Sequence, residues 1–244
     1  MNYPFAFNDD LFDFWPIYEA LQRYYPLGMK KERGNGYYRY PGTKAKEKLL
    51  VEYVHNREAY QKGWVHFCQY IEGEIGLPVA STTLGQAPSL GAEVVLLDQA
   101  MNHVNHVRSL RFNISLLGPF YQIFGVDKTY LIEAENQATP QRFVVNLVTP
   151  SPHGAFEVVF SEIEKLIQER HPDYRILPFF VHQMYVDGLQ VAYNDEAVGT
   201  VGEALFDDFL RLHEYAPLER ETQYGASLWV RPGTGSDPVS DQIH

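Results

Sequence analysis

The chain has 244 residues, 45% of them apolar and 14% aromatic, and a formal net charge of −11. The apolar share excludes a disordered chain, and the length suits one large domain or two small ones with a sizeable core. The acidic balance argues against nucleic acid as the main ligand, because phosphate binding is dominated by Lys and Arg, and against an anionic membrane.

The charge is unevenly divided. Residues 1–62 carry 10 Lys+Arg against 8 Asp+Glu, a balance of +2, and residues 63–244 carry 10 against 23, a balance of −13. Such a surface attracts a basic partner. No apolar run approaches the roughly 18–20 residues of a membrane helix. The opening MNYPFAFNDDLFDF lacks the basic stretch of a secretory signal, so a cytoplasmic location is expected. Asn113-Ile114-Ser115 fits a glycosylation sequon, which has no consequence without secretion. The lone cysteine, Cys68 in HFCQYI, reads as a packed core thiol.

A first helix is expected from about Asp10 to Tyr24, with Asn8 and Asp9 as capping residues and Pro16 marking a kink or a later start. The stretch KERGNGYYRYPG reads as a loop whose tyrosines pack onto the first two helices. Leu49, Tyr53, Tyr60, Trp64, Phe67 and Ile71 form one helical stripe, which predicts a continuous helix from about Thr43 to Gly73.

From Glu93 the period changes to two. EVVLLD, RSLRFNISLL, FYQIFG, TYLIEAE and RFVVNLV read as strands, with turns at Gly118-Pro119 and at Val126-Asp127-Lys128. Leu110, Phe112, Ile114 and Leu116 alternate with Arg111, Asn113 and Ser115, the pattern of a half-buried strand. A helix is expected over about His153–Arg170, then strands in RILPFFVHQMYV and GLQVAY joined by Asp187-Gly188. Thr200-Val201-Gly202-Glu203 is a capping box that opens a further helix with Val201, Leu205, Phe209 and Leu212 inward. YGASLWV reads as a last strand. Runs of strands rather than strict alternation mean an α+β fold, a mainly antiparallel sheet packed by about four helices. Residues 1–76 form the helical part, 92–231 the sheet part, and 232–244 a flexible tail.

Two constellations compete for function. His103 and His106 in NHVNH suggest a metal or catalytic pair, and with it a metal-dependent hydrolase. In an extended chain residues three apart point to opposite faces, so these histidines read instead as the polar approach to a strand. Paired acids at Asp9-Asp10 and Asp207-Asp208, His153 beside Glu157, and a buried His182 all read as structural or solvated groups. The second constellation is acidic. Asp195, Glu196, Glu203, Asp207, Asp208 and Glu214, with Tyr193, Tyr215 and Tyr224 among them, form a candidate docking surface for a basic protein. Glu219 and Glu221 extend it. No metal, cofactor or nucleophile motif accompanies them.

The block RSLRFNISLLGPFYQIFGVDKTYLIEA and the TVGEALFDDFL helix resemble, in style, the immunity proteins of bacterial polymorphic toxins. The resemblance implies occlusion of a toxin domain with no chemistry of its own. The leading expectation is therefore a non-enzymatic binding protein with a basic protein partner. The alternatives are the hydrolase centred on His103 and His106 and a structural component of a larger bacterial assembly.

Overall fold

The computed structural model describes residues 4–6, 10–32, 34, 36–101, 103–131, 143–191, 198–209, 218 and 221–231. Helix α1 (Trp15–Tyr24) takes the later of the two expected starts, with Pro16 in its first turn, where a missing N–H breaks no helical bond. Ile17, Ala20 and Leu21 point inward. The tyrosine-rich loop is tied down by side chains: the Tyr37 hydroxyl donates to the Gln190 carbonyl at 2.5 Å and the Tyr40 hydroxyl to that of Gln22 at 2.9 Å.

The stripe read as one helix is a broken array of α2 (Pro41–Leu50), α3 (Arg57–Tyr60) and α4 (His66–Ile75), joined through π-helical turns at Val51–His55 and Gln61–Val65. The break is at Asn56, which is extended and whose side chain accepts the Ala59 N–H at 3.2 Å. Asparagine offers the backbone this local alternative to helical bonding. The stripe divides there. Trp64, Phe67 and Ile71 enter the core, while Tyr53 is exposed.

Strands β1 (Val79–Ser81), β2 (Ser89–Met101), β3 (Val104–Ser115), β4 (Phe120–Leu131) and β5 (Phe143–Thr149) lie antiparallel in chain order, and β6 (Arg175–Ile176) runs parallel to the start of β4. The α+β expectation holds. Val126-Asp127-Lys128, expected as a turn, lies inside β4. Both charges there find partners across the sheet, so the chain has no need to leave it.

Helix α5 (Glu157–Arg170) follows, then α6 (Phe179–His182) and α7 (Val201–Leu205). The expected strand in RILPFFVHQMYV reduces to β6 and the single turn α6, which begins after Pro178. Asp187-Gly188 still turns the chain, but the Gly188 carbonyl accepts the Gly28 N–H at 2.8 Å and anchors the end of the α1 segment. YGASLWV is a 3-10 turn, Ala226–Trp229, rather than a strand, and its buried Trp229 indole donates to the Ile176 carbonyl at 2.9 Å. Among the described residues no helix is long and apolar enough to cross a membrane.

Two large apolar clusters, with a smaller third of Phe124, Val126, Val148 and Phe179, hold these elements. On one sheet face Leu110, Phe112, Ile114, Tyr121 and Ile123 meet Trp64, Phe67 and Ile71 of the α3–α4 arm and Phe160, Ile163 and Ile167 of α5. The other cluster gathers Phe14, Leu21, Phe120, Val181, Leu205 and Trp229 around α1, α6 and α7. At Gly125, paired with Leu110, the Phe156 ring lies so close that an added Cβ would fall 2.6 Å from it. Gly125→Ala is expected to cost about 1–3 kcal/mol by overpacking, read as a lower urea midpoint at unchanged m value.

Candidate functional site

The acidic surface expected on the last helix is not where helical spacing would put it. α7 keeps its capping box: Thr200 N–H donates to Glu203 Oε2 at 2.9 Å, and Glu203 N–H donates to Thr200 Oγ1 at 3.2 Å. The helix ends after five residues, however, because Phe206 leaves it with φ −128° and ψ −97°. Glu203 and Asp207 are each only 4% exposed. Both are corrected from surface acids to interior ones. Asp208 is partly exposed beside an open cleft of about 220 Å³ lined by Leu84, Gly85, Gln86 and Ala87. Tyr224 is also turned inward, donating to Glu164 Oε2 of α5 at 2.5 Å. Tyr193, Asp195, Glu196, Glu214, Tyr215 and Glu219 lie outside the described residues, and Glu221 is exposed.

Asp207 turns in because the sheet supplies charges beneath it. Arg111, Asn113 and Ser115 of β3, the polar side of an expected half-buried strand, are all buried, as is Ser109. Arg111 reaches Asp207 Oδ2 at 3.5 Å and Glu93 Oε2 of β2 at 3.7 Å, and Lys128 of β4 reaches Glu93 Oε1 at 2.7 Å. Asn113 Nδ2 donates to Asp207 at 2.9 Å, and the Phe209 ring lies 3.5 Å from the Arg111 guanidinium. Burial pushes the Glu93 carboxyl upward, but Lys128 and Arg111 outweigh it and hold Glu93 below the usual carboxylate range. The two basic and two acidic side chains form a neutral quartet in which Arg111, Lys128 and Asp207 are buried and Glu93 is partly so.

On the opposite face, among the described residues, the sheet extends past its helical cover. Cross-strand register places Met101, Val104 and Leu131 in one row. Gln99, His106, Thr129 and Val144 share a second row, and Arg108, Asp127 and Leu147 a third. These rows continue the face of Leu110, since residues two apart along a strand point the same way. Phe156, packed on Gly125, marks the edge of the covered part. Beyond it Val144 is 63% exposed, Leu131 49% and Met101 45%.

Bulges interrupt β2 between Val95 and Leu97, and β5 opposite Asp127 and Lys128. Both lie at the edge of that uncovered region. Bulges re-aim side chains. Here the extra residue in β5, Asn146, donates to Asp127 Oδ1 and to Thr129 Oγ1, each at 2.8 Å. His106 Nε2 meets the same Asp127 oxygen at 2.8 Å, and Arg108 Nε lies 3.5 Å from the other. Burial raises the Asp127 carboxyl, but the hydrogen bonds from Asn146 and His106 and the charge of Arg108 leave it below its ordinary value. The result is an ordered polar centre rimmed by exposed apolar side chains.

Val104 opens β3 and pairs with Met101, and exposed His103 lies in the turn just before it, while Asn102 lies outside the described residues. His106 projects onto the sheet and pairs with Asp127. Among the described residues no group of three His, Cys, Asp or Glu side chains could hold a metal ion. Cys68 is buried, and burial pushes its thiol up to about 12. Neither Asp127 nor Asn146 stood out in the sequence. Both sit in stretches whose pairing depends on the other strand.

No family model, no curated protein and no solved structure matches the chain.

Because the folded Asp127 is depressed, its stabilisation is present above the unfolded carboxylate value of about 3.9 and is lost as pH falls through the folded value. Asp127→Asn should therefore cost about 1–3 kcal/mol at neutral pH. Its deficit against the natural chain should shrink when urea unfolding is repeated progressively below about pH 4.

Proposed function

We propose that the chain acts as a binding protein, docking a basic protein partner on the uncovered half of its sheet. The observation that carries this reading is the pairing of exposed Met101, Leu131 and Val144 with the ordered His106–Asp127–Asn146 centre on one face. A contiguous apolar patch around polar groups already held in place has the composition of a recognition surface. Its polar centre loses little freedom on binding, which favours affinity.

The partner's chemistry follows from charge. A body carrying −13 over residues 63–244 accelerates encounter with a cationic surface and repels an anionic one. Together with the stylistic likeness to immunity proteins, this favours a basic toxin domain, neutralised by occlusion in the cytoplasm. The acidic docking face thereby gives way to the sheet as the contact surface, with the acids acting at long range.

A second reading draws on His106 alone. An imidazole oriented by a carboxylate is an arrangement suited to a general base, and it supports hydrolysis at this same face.

Co-purification of the full chain with its partner, followed by titration, separates the two. The expected partner is a basic protein whose affinity falls as salt rises. Val144→Lys with Leu131→Lys should weaken it about 100-fold while leaving the thermal midpoint in place. Unchanged affinity in that double variant overturns the sheet-face reading. Turnover of a substrate, abolished in His106→Ala, supports the second.

A further inference from the structure

The buried face of the sheet is more polar than a structural role requires. Glu93, Arg111, Asn113, Gln122 and Lys128 all project from neighbouring strands onto it, beneath the segment Phe206–Phe209. Burying such charges gains little stability over apolar residues of similar volume. The network is also incomplete. Two buried donors have no hydrogen-bond partner, Arg111 Nε and the Thr82 hydroxyl just after β1, whereas the unpartnered Gln122 Oε1 is an acceptor that a carboxylate would not meet. Buried donors and acceptors without partners mark a place where another polar group belongs.

Asp207 already occupies part of that place, and it comes from outside the sheet. Its carboxylate takes the Asn113 amide at 2.9 Å and faces the Arg111 guanidinium at 3.5 Å, the donor set that recognises a carboxylate. Remove it, and the sheet residues Glu93, Arg111 and Lys128 hold one uncompensated positive charge. The segment that delivers Asp207 borders the open cleft between Asp208 and Leu84–Ala87, which gives a route from solvent to its edge. Arg111 and Lys128 are thus floor residues of a site, and Asp207 is its resident.

We infer that Arg111 and Asn113, with Lys128 beside them, form a carboxylate-binding site whose built-in ligand, Asp207, exchanges with a carboxylate from outside. The incoming group is a small free carboxylate or an acidic side chain of a peptide. Either restores the neutrality that Asp207 provides and frees Phe209 from the guanidinium.

Acetate and an acetylated tetraglutamate peptide serve as probes, each compared with chloride at equal ionic strength. In Asp207→Ala, a probe several-fold above its dissociation constant should raise the thermal midpoint saturably by about 2–4 °C. The rise should vanish when Arg111→Met is added. Should Asp207→Ala not fold, Asp207→Asn supplies the same comparison. In the natural chain the effective probe should quicken amide exchange at Phe206–Phe209. A response to acetate assigns a small ligand, and a response to the peptide alone assigns a protein segment. Equal effects of probe and chloride, a rise that survives Arg111→Met, or unchanged exchange in the natural chain each overturn the inference.

Discussion

A guanidinium taken out of water must meet carboxylates, and the arrangement of this molecule follows from how Arg111 meets its own. Glu93 on the strand before it and Asp207 on the chain after α7 approach it from two sides. Desolvation draws the guanidinium down from its ordinary value, and those two carboxylates oppose the shift. Losing either partner would leave the cluster with one uncompensated buried positive charge, at a cost of about 3–5 kcal/mol. That penalty ties the β2–β3 register to the end of a distant helix. A slip of one residue would carry Arg111 to the apolar face occupied by Leu110 and Phe112.

The same requirement explains why α7 is short. Continuing the helix past Leu205 would swing Asp207 away from the sheet, and the departure at Phe206 turns it inward instead. The rings of Phe206 and Phe179 then lie nearly parallel to that of His182, with centroids 6.5 Å and 5.6 Å away. His182 lies against Gly202, where any Cβ would collide with the imidazole. The capping box, the glycine and the abrupt exit make α7 a bracket that presents one carboxylate. Phe209 completes it by covering Arg111.

The two faces of the sheet are therefore solved differently. One carries charge beside the apolar Phe124, Val126 and Val148 and buries it under the segment after α7. The other is apolar where α4 and α5 cover it and turns polar where the cover stops, at His106, Arg108 and Asp127. Bulges in β2 and β5 coincide with that transition, and the extra Asn146 completes the bonding of Asp127. Ordered polar groups amid exposed apolar ones distinguish this end of the sheet from an ordinary solvated face, where the polar groups bond to water.

Much of the architecture was legible from local chemistry. Alternation announced β3, the Thr200–Glu203 spacing announced a helix start, and the apolar period within His153–Arg170 announced α5, because each depends on residues a few positions apart. Asn56 breaking a stripe of good helical period was not legible, since it depends on one side chain winning a local competition. The candidate sites were least legible of all. Arg111, Asn113 and Ser115 alternate with apolar residues as a solvated edge would, and nothing nearby in the chain announces the carboxylate 96 positions later that buries them. By itself the sequence determined the α+β class, the strand periodicity, the capping box and the acidic balance, all consequences of composition and short-range spacing. Only the tertiary structure decided which polar stripe is interior, where the helices cease to cover the sheet, and which acids remain outside. Those outcomes depend on desolvation and on partners brought together by folding, and no short stretch of chain contains them.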